Sequence, residues 1–424
     1  MGWIKSSLVI TFVAVLSFYI NSLLHTDHPI YISGTSTKKF EKVEQVFRAN
    51  FLNNWEPEGS ALTVYYKGEK VVDVWGGYAD RSAARPWKKD TMTVVFSTSK
   101  AVSALCIAML VDRGLLKYED PIMKYWPDFG KNGKENITVQ MAMSHMGGLP
   151  YFDEEITEAA ASDHNLMREI IENERPKWPP GTMTGYHPYT YGWIVDQIIR
   201  HVDPKKRGIG QFLREEITGP NGIDFYFGLL EKEAHRVARI TVASNWQRLS
   251  EIIHSYKALV YFSNLFKLYD NNTFLYKAAT NPSWLESVHR CTFNNPDYYK
   301  LEQGAALGIG TARGLAEIFN LVVSKNLLSE NTLEKLQHYH INETDVVFGD
   351  DTAKGHGFFY LPVHRAGVPF VVGHTGHGCQ QVIYDKENSL VIAYVSNGLK
   401  LGLYDLCRTY YAIQNAVYDV IEGK

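Results

Sequence analysis

Apolar and polar positions follow two rhythms along this chain, and the rhythm changes twice. Between residues 39 and 53, Phe40, Val43, Phe47 and Phe51 recur at helical steps and Val46 widens the stripe, which predicts an amphipathic helix. Residues 61–66 (ALTVYY) and 70–75 (KVVDVW) are β-branched and aromatic runs joined at Lys67-Gly68-Glu69, which predicts a hairpin. Residues 97–113 read as a helix rich in helix formers, with Gly114 placed to stop it. From there to about residue 309 the pattern is mostly helical and loop-like, with helices predicted over 190–202 and 251–266 and a further one over 313–323. Strands return at 355–361, 370–374, 380–384 and 390–396, and residues 403–421 close the chain with helical spacing.

Strands at both ends with helices between them predict an α+β fold. One antiparallel sheet is built from both chain ends and flanked by the terminal helices, and a large, mainly helical region is inserted between its halves. The division is 1–30 as an apolar segment with its linker, 37–96 and 310–424 as the sheet region, and 97–309 as the mainly helical region.

The first segment has its own signature. Residues 8–24 (LVITFVAVLSFYINSLL) lack a polar face, Lys5 precedes them, and no charge follows until Asp27. As a helix this stretch spans roughly 25 Å, slightly short of a bilayer core but longer than a typical signal-peptide core. No A-x-A-like cleavage site stands out. The expectation is an uncleaved signal-anchor in the membrane, with a cleaved signal peptide as the alternative. Either places the remainder in the secretory pathway, on the luminal or extracellular side. Sequons at Asn136, Asn271 and Asn342 are compatible with that location without establishing it.

Composition narrows the classes. With 45% hydrophobic and 21% charged residues the chain is globular, and a net charge of −3 without a Lys/Arg block argues against a nucleic-acid partner. Its four cysteines, Cys106, Cys291, Cys379 and Cys407, form no CxxC pair, which excludes a disulfide scaffold while leaving room for one or two bridges. Cys379 reads as a packed thiol. His374 and His377, like His25 and His28, are three apart with no third ligand nearby, so no metal is expected. No nucleotide-binding glycine pattern implies a cofactor, and no G-x-S-x-G elbow marks an ordinary α/β hydrolase.

Candidate chemistry begins at Ser97-Thr98-Ser99-Lys100, an S-x-x-K sequence. Positions i and i+3 share a helix face, so the lysine amine reaches the serine hydroxyl. A serine hydroxyl needs a base, and a lysine whose pKa is lowered by burial is one. At a helix start, free N–H groups and the helix dipole also stabilise developing negative charge. Ser36-Thr37-Lys38-Lys39 matches the same pattern, but beside a linker it reads as a cap. Ser97 instead follows the apolar run 93–96 and opens an apolar helix, where a lysine is costly to bury without a task.

The chain resembles the serine β-lactamase-related family, which includes class C β-lactamases, penicillin-binding-protein-like peptidases, family VIII carboxylesterases and animal β-lactamase-domain proteins. The resemblance runs from about residue 51 to 400. It rests on five ordered segments: GEKVVDVWGGYAD (68–80), DTMTVVFSTSKAVSAL (90–105), ITVQMAMSHMGGLP (137–150), PPGTMTGYHPYTYGWIVDQI (179–198) and GHTGHGCQQVIYD (373–385).

The resemblance implies that Ser97 is the acylated nucleophile, Lys100 its partner and Tyr186 the tyrosine of the Y-x-N motif, a proton carrier that a nearby ammonium would favour as phenolate. A packed loop tyrosine is the alternative for Tyr186. His374-Thr375-Gly376 falls on the K-T-G strand, and the N–H groups of His377 and Ser97 would form the oxyanion hole. His187 is a further substrate-side candidate, whereas His145 reads as a locally packed residue.

Two departures redirect the substrate. Pro188 stands where the motif has Asn and offers no side-chain hydrogen bond. His374 replaces the lysine that would pair with a substrate carboxylate, and histidine is mostly neutral above pH ~6.5. Both weaken β-lactam recognition and resemble the esterase branch. The expected function is a serine hydrolase acting through an acyl-enzyme on a small-molecule, ester-like acyl substrate. A non-catalytic binding or self-assembling protein and a peptidase or amidase are the alternatives.

Overall fold

Both parities of the central strands are apolar, and the structure, a computed structural model, shows helices covering the sheet on both faces. It describes residues 28–254, 266–287, 290–324, 327–365 and 367–424, together with Phe12, Val13 and Leu16. The strands are β1 (Ile32–Ser36), β2 (Gly59–Tyr66), β3 (Glu69–Asp80), β4 (Arg85–Pro86), β5 (Thr93–Val94), β6 (Phe225–Tyr226), β7 (Ile309–Gly310), β8 (Ile341–Thr344), β9 (Asp351–Gly355), β10 (Phe358–Arg365), β11 (Val368–Gly376), β12 (Gln380–Asp385) and β13 (Leu390–Ser396). The main sheet runs β1-β3-β2-β13-β12-β11-β10-β9-β8, with β4 paired to β3, and its ladders are antiparallel.

The two chain ends meet at β2 and β13, registered from Leu390↔Tyr66 to Ser396↔Ser60. Because side chains alternate across a strand, Leu62, Val64, Leu390, Ile392 and Tyr394 face the terminal helices Glu41–Leu52 and Arg408–Glu422. Ala61, Tyr65, Val391, Ala393 and Val395 face the inner helices Ser99–Asp112 and Ala312–Ser324. The α+β architecture read from the strand distribution is the one found.

Local details differ where turn geometry decides. Of residues 355–357, read as the start of a strand, Gly355 ends β9 and His356 and Gly357 form the β9–β10 turn, both at positive φ. A second sheet, β5-β7-β6, was not legible because its strands are two residues each. Cys379, read as a packed thiol, is instead disulfide-bonded to Cys407. Of the helix predicted over 251–266, residues up to His254 belong to the helix Asn245–His254, and 255–265 lie outside the described residues.

The membrane expectation is also corrected. Among the described residues no helix is long and apolar enough to cross a membrane, so the signal-anchor, the membrane as partner and the secretory placement built on them are not supported. Most of the run 8–24 itself lies outside the described residues.

Candidate active site

A sharp turn aims Ser97. After β5 the chain passes Phe96 at φ 46° into a 3-10 turn, Phe96–Thr98, that leads directly into the helix Ser99–Asp112. A bulky residue at positive φ is strained. Here packing holds it: the Phe96 ring lies 4.7 Å from Phe293 and 5.4 Å from His377 between ring centres. Strand β11 crosses the turn so closely that a Cβ on Gly376 would stand 2.5 Å from the Val95 carbonyl oxygen and 2.8 Å from Thr98 Oγ1.

Lys100, one turn along, is wholly buried. Its Nζ donates to the carbonyls of Pro188 (2.8 Å) and Ala305 (3.0 Å) and lies 3.5 Å from Ser97 Oγ. Desolvation holds its pKa well below the ordinary lysine value. The Ala305 carbonyl is held by Gln303, whose Oε1 accepts from the N–H groups of Ala305 and Ala306 and whose Nε2 donates to the Tyr189 carbonyl. Ser103 and Ser99 fasten the same loop to the helix Ser99–Asp112, the first donating to the Gly304 carbonyl and the second accepting from the Gly308 N–H.

Tyr186 hydrogen-bonds with Ser97, and its ring centre is 4.6 Å from Lys100 Nζ. Burial pushes its phenol far up, with the Ser97 hydrogen bond opposing. The segment SHMGGLP explains how this loop is fixed. Gly185 and Gly181 donate to the carbonyls of His145 and Met146. The His187 N–H donates to His145 Nδ1 (3.2 Å), and the Leu149 N–H donates to His187 Nε2 (3.0 Å). His187 Nδ1 lies 2.6 Å from the Gly185 carbonyl, to which it donates in the tautomer that leaves Nε2 free to accept. A buried ion pair between Lys354 and Asp345 supports the loop from below, with Lys354 also donating to Thr184 Oγ1 (3.1 Å).

Ser97, Tyr186, Thr375 and His377 line one cavity of about 220 Å³, whose remaining walls are Leu268, Leu275, Phe348, Phe359, Leu401 and Leu403. His187 is not in that lining; its ring is a pin within the loop. His374 stacks on Phe359 at 4.1 Å, has its Nδ1 2.6 Å from the Thr375 carbonyl, and is held neutral by burial, its pKa pushed down to about 3. The apolar wall residues and the Pro188 and Ala305 carbonyls were not singled out from the sequence. Backbone acceptors leave no residue-type signature, and wall leucines look like any core leucine. Among the described residues no group of acidic, histidine or cysteine side chains could hold a metal ion.

The beta-lactamase family model matches residues 47–416. The chain is 31% identical to "Esterase/beta-lactamase LipL" of Mycobacterium tuberculosis over 92% of its own length and 88% of that protein's. A family VIII carboxylesterase structure superposes with a TM-score of 0.79 at 25% identity, covering 92% of this chain and all of that one. A penicillin-binding-protein homologue from Caulobacter crescentus gives 0.77 at 28% identity, with the same coverage. The chain belongs to the beta-lactamase family and is an esterase/β-lactamase-like hydrolase.

Proposed function

We propose that this hydrolase is a serine esterase that forms an acyl-enzyme on Ser97 and prefers esters that carry no carboxylate and have an apolar acyl group. The observation that carries the reading is Ser97 Oγ set between a buried Lys100 amine and Tyr186 in an apolar cavity. The reaction follows from proton placement. An amine–phenol pair and an ammonium–phenolate pair hold the same number of protons, and burial favours the uncharged pair. A neutral amine has two N–H groups and one lone pair. The two N–H groups are taken by the Pro188 and Ala305 carbonyls, so the lone pair remains for the Ser97 hydroxyl.

Ser97 then gives its proton to Lys100 as Oγ attacks the ester carbonyl, and the N–H groups of Ser97 and His377 receive the oxyanion. Tyr186 passes its phenolic proton to the departing alkoxide and is reprotonated from Lys100. Water, activated the same way, releases the acid. The phenol thus serves as the acid for the leaving group, and a standing phenolate is not required.

Ester preference over lactam preference rests on two residues. His374 carries no charge at neutral pH to meet a carboxylate, and Pro188 has no side-chain amide. The test is labelling by a fluorescent fluorophosphonate alongside hydrolysis of p-nitrophenyl butyrate, in wild type and Ser97→Ala. Labelling and turnover that both vanish in Ser97→Ala support the proposal. A folded wild type that neither labels nor turns over any ester defeats it.

A further inference from the structure

The Ser97 cavity is one end of a longer space. A second cavity of about 770 Å³ shares four wall residues with it, Phe348, Phe359, Thr375 and Leu403, and extends across the outer ends of β9, β10 and β11. Its far wall carries a cluster of three aromatic rings. Tyr339 lies 5.9 Å from Tyr360 and 6.1 Å from Phe370, and those two are 5.4 Å apart. Tyr339 is 48% exposed, so its ring is open to a ligand in the groove.

Charge in the groove has one sign. Asp350, Asp351 and Asp405 line it, and its one lining cation among the described residues, Lys354, is already neutralised by Asp345. Burial raises the Asp350 carboxyl above its ordinary range and Lys267 only partly offsets this, so Asp350 also gains from a further positive neighbour. A separate observation points to a ligand at the junction: Thr375 is 5% exposed, lines both cavities, and its Oγ1 has no hydrogen-bond partner among the described residues. An unpaired buried hydroxyl is costly, and a bound ester oxygen would accept its hydrogen bond.

We infer that this groove holds the alcohol arm of the substrate, and that the arm it takes is apolar and ends in a positively charged nitrogen. Aromatic faces and carboxylates together are the chemistry that recognises an alkylammonium, by cation–π and Coulomb attraction with little penalty for its weak hydration. The acyl arm stays bonded to Ser97 after the first step, so the wider space suits the arm that must leave. The assignment rests on the esterase reading, and it deepens that reading by naming the second half of the ester.

Two measurements separate the two ideas. In the full-length Ser97→Ala protein, calorimetric titration compares octyltrimethylammonium with octanoate, and the cation is expected to bind at least about tenfold more tightly. In the Asp350→Asn/Asp405→Asn background that ratio is expected to fall to about threefold or less; Tyr339→Ala, which alters an exposed ring, provides a second variant should the first fold poorly. In wild type, the butyrate ester of 6-(trimethylammonio)hexanol is compared with its uncharged isostere, the butyrate of 7,7-dimethyloctanol, and kcat/KM is expected to favour the cationic ester about tenfold. Hydrolysis of both esters without a charge preference, or equal binding of octanoate, overturns the groove assignment and leaves the esterase standing. Cation binding without labelling or hydrolysis of any ester overturns the esterase reading, and the substrate assignment with it.

Discussion

Replacing Gly376 by alanine adds one methyl group where β11 passes the turn that carries Ser97. That carbon would stand 2.5 Å from the Val95 carbonyl oxygen, with Thr98 Oγ1 at 2.8 Å and Gln380 Cβ at 3.0 Å. Ordinary contact begins near 3.4 Å, so strand and turn must separate by about 1 Å at the Val95 carbonyl. Neither side gives way cheaply. Val95 is tied to the Gly308 carbonyl, Thr98 to the Val95 carbonyl, and β11 is paired on both sides. Overpacking of this kind costs about 1–3 kcal/mol of stability. The functional cost is larger than stability implies, because the same displacement parts the Ser97 and His377 N–H groups, and a 1 Å misplacement costs on the order of 10²-fold in rate. The assay is kcat/KM for p-nitrophenyl butyrate together with urea unfolding. Gly376→Ala should unfold cooperatively, lose about 1–3 kcal/mol and lose about 10²-fold in kcat/KM. Retention of activity within twofold in a folded variant would refute the view that strand and turn are held at a fixed spacing.

The remaining predictions test proton traffic, burial and the disulfide. Lys100→Met should lower kcat/KM by about 10²–10⁴-fold, the usual worth of a general base, measured by steady-state hydrolysis in a variant that remains folded by circular dichroism. Tyr186→Phe should slow ethyl butyrate much more than p-nitrophenyl butyrate, since p-nitrophenolate departs without a proton; equal slowing would remove Tyr186 as the leaving-group acid. His187 and His374 are buried with pKa values pushed down to about 3, against ~6.5 unfolded, so the unfolded chain binds more protons between those limits and stability rises with pH there. At pH 5 each imidazole therefore removes about 2 kcal/mol relative to pH 7, partly opposed by Glu58, whose burial lifts its carboxyl to about 7. Urea titrations at pH 5 and 7 should show the loss, and His374→Gln should reduce it by about 2 kcal/mol. Opening Cys379–Cys407, which closes a 28-residue separation, should cost about 3–4 kcal/mol in denaturant midpoint experiments on the double Cys→Ser variant.

Much of the scaffold could be read from the sequence because burial writes periodicity into it. The strand at 390–396 was legible to the residue, since both its faces are covered and every position but the last, Ser396, is apolar. The helix at 190–202 was legible for the same reason on its buried stripe. The Ser97–Lys100 pair stood out because a lysine inside a run of alanine, leucine and isoleucine conflicts with burial, and the buried Lys100 amine lies 3.5 Å from Ser97 Oγ. What stayed hidden were features whose causes lie far away in the chain. The Lys100 acceptors are the backbone carbonyls of Pro188 and Ala305, and no side chain advertises them. Cys379 looked like a packed thiol because its partner is on another element, and only the fold brings Cys407 beside it. His187 looked like a substrate contact because it adjoins Tyr186, whereas its ring closes the loop onto Leu149.

The electrostatics of the site follow from one arrangement. Lys100, His145, His187 and His374 cluster around Tyr186, and burial drives all four bases toward their neutral forms, with the field of Lys100 adding to the effect at the three histidines. Such a cluster offers little positive charge to a carboxylate, and the same burial favours the free amine of Lys100 beside Ser97. Exchanging the K-T-G lysine for His374 therefore changes two properties together. It removes an anchor for anionic substrates, and it removes a cation whose field would act on Lys100. Restoring that charge with His374→Lys tests the coupling. Lysine there would meet an apolar wall at Phe359, and if it stays charged its field lowers the Lys100 pKa further. The acid limb of the kcat/KM profile should then move to lower pH while turnover of anionic esters rises relative to neutral ones. An unchanged acid limb in a folded His374→Lys variant would show that the two sites are screened from each other, and that Lys100 owes its neutrality to desolvation alone.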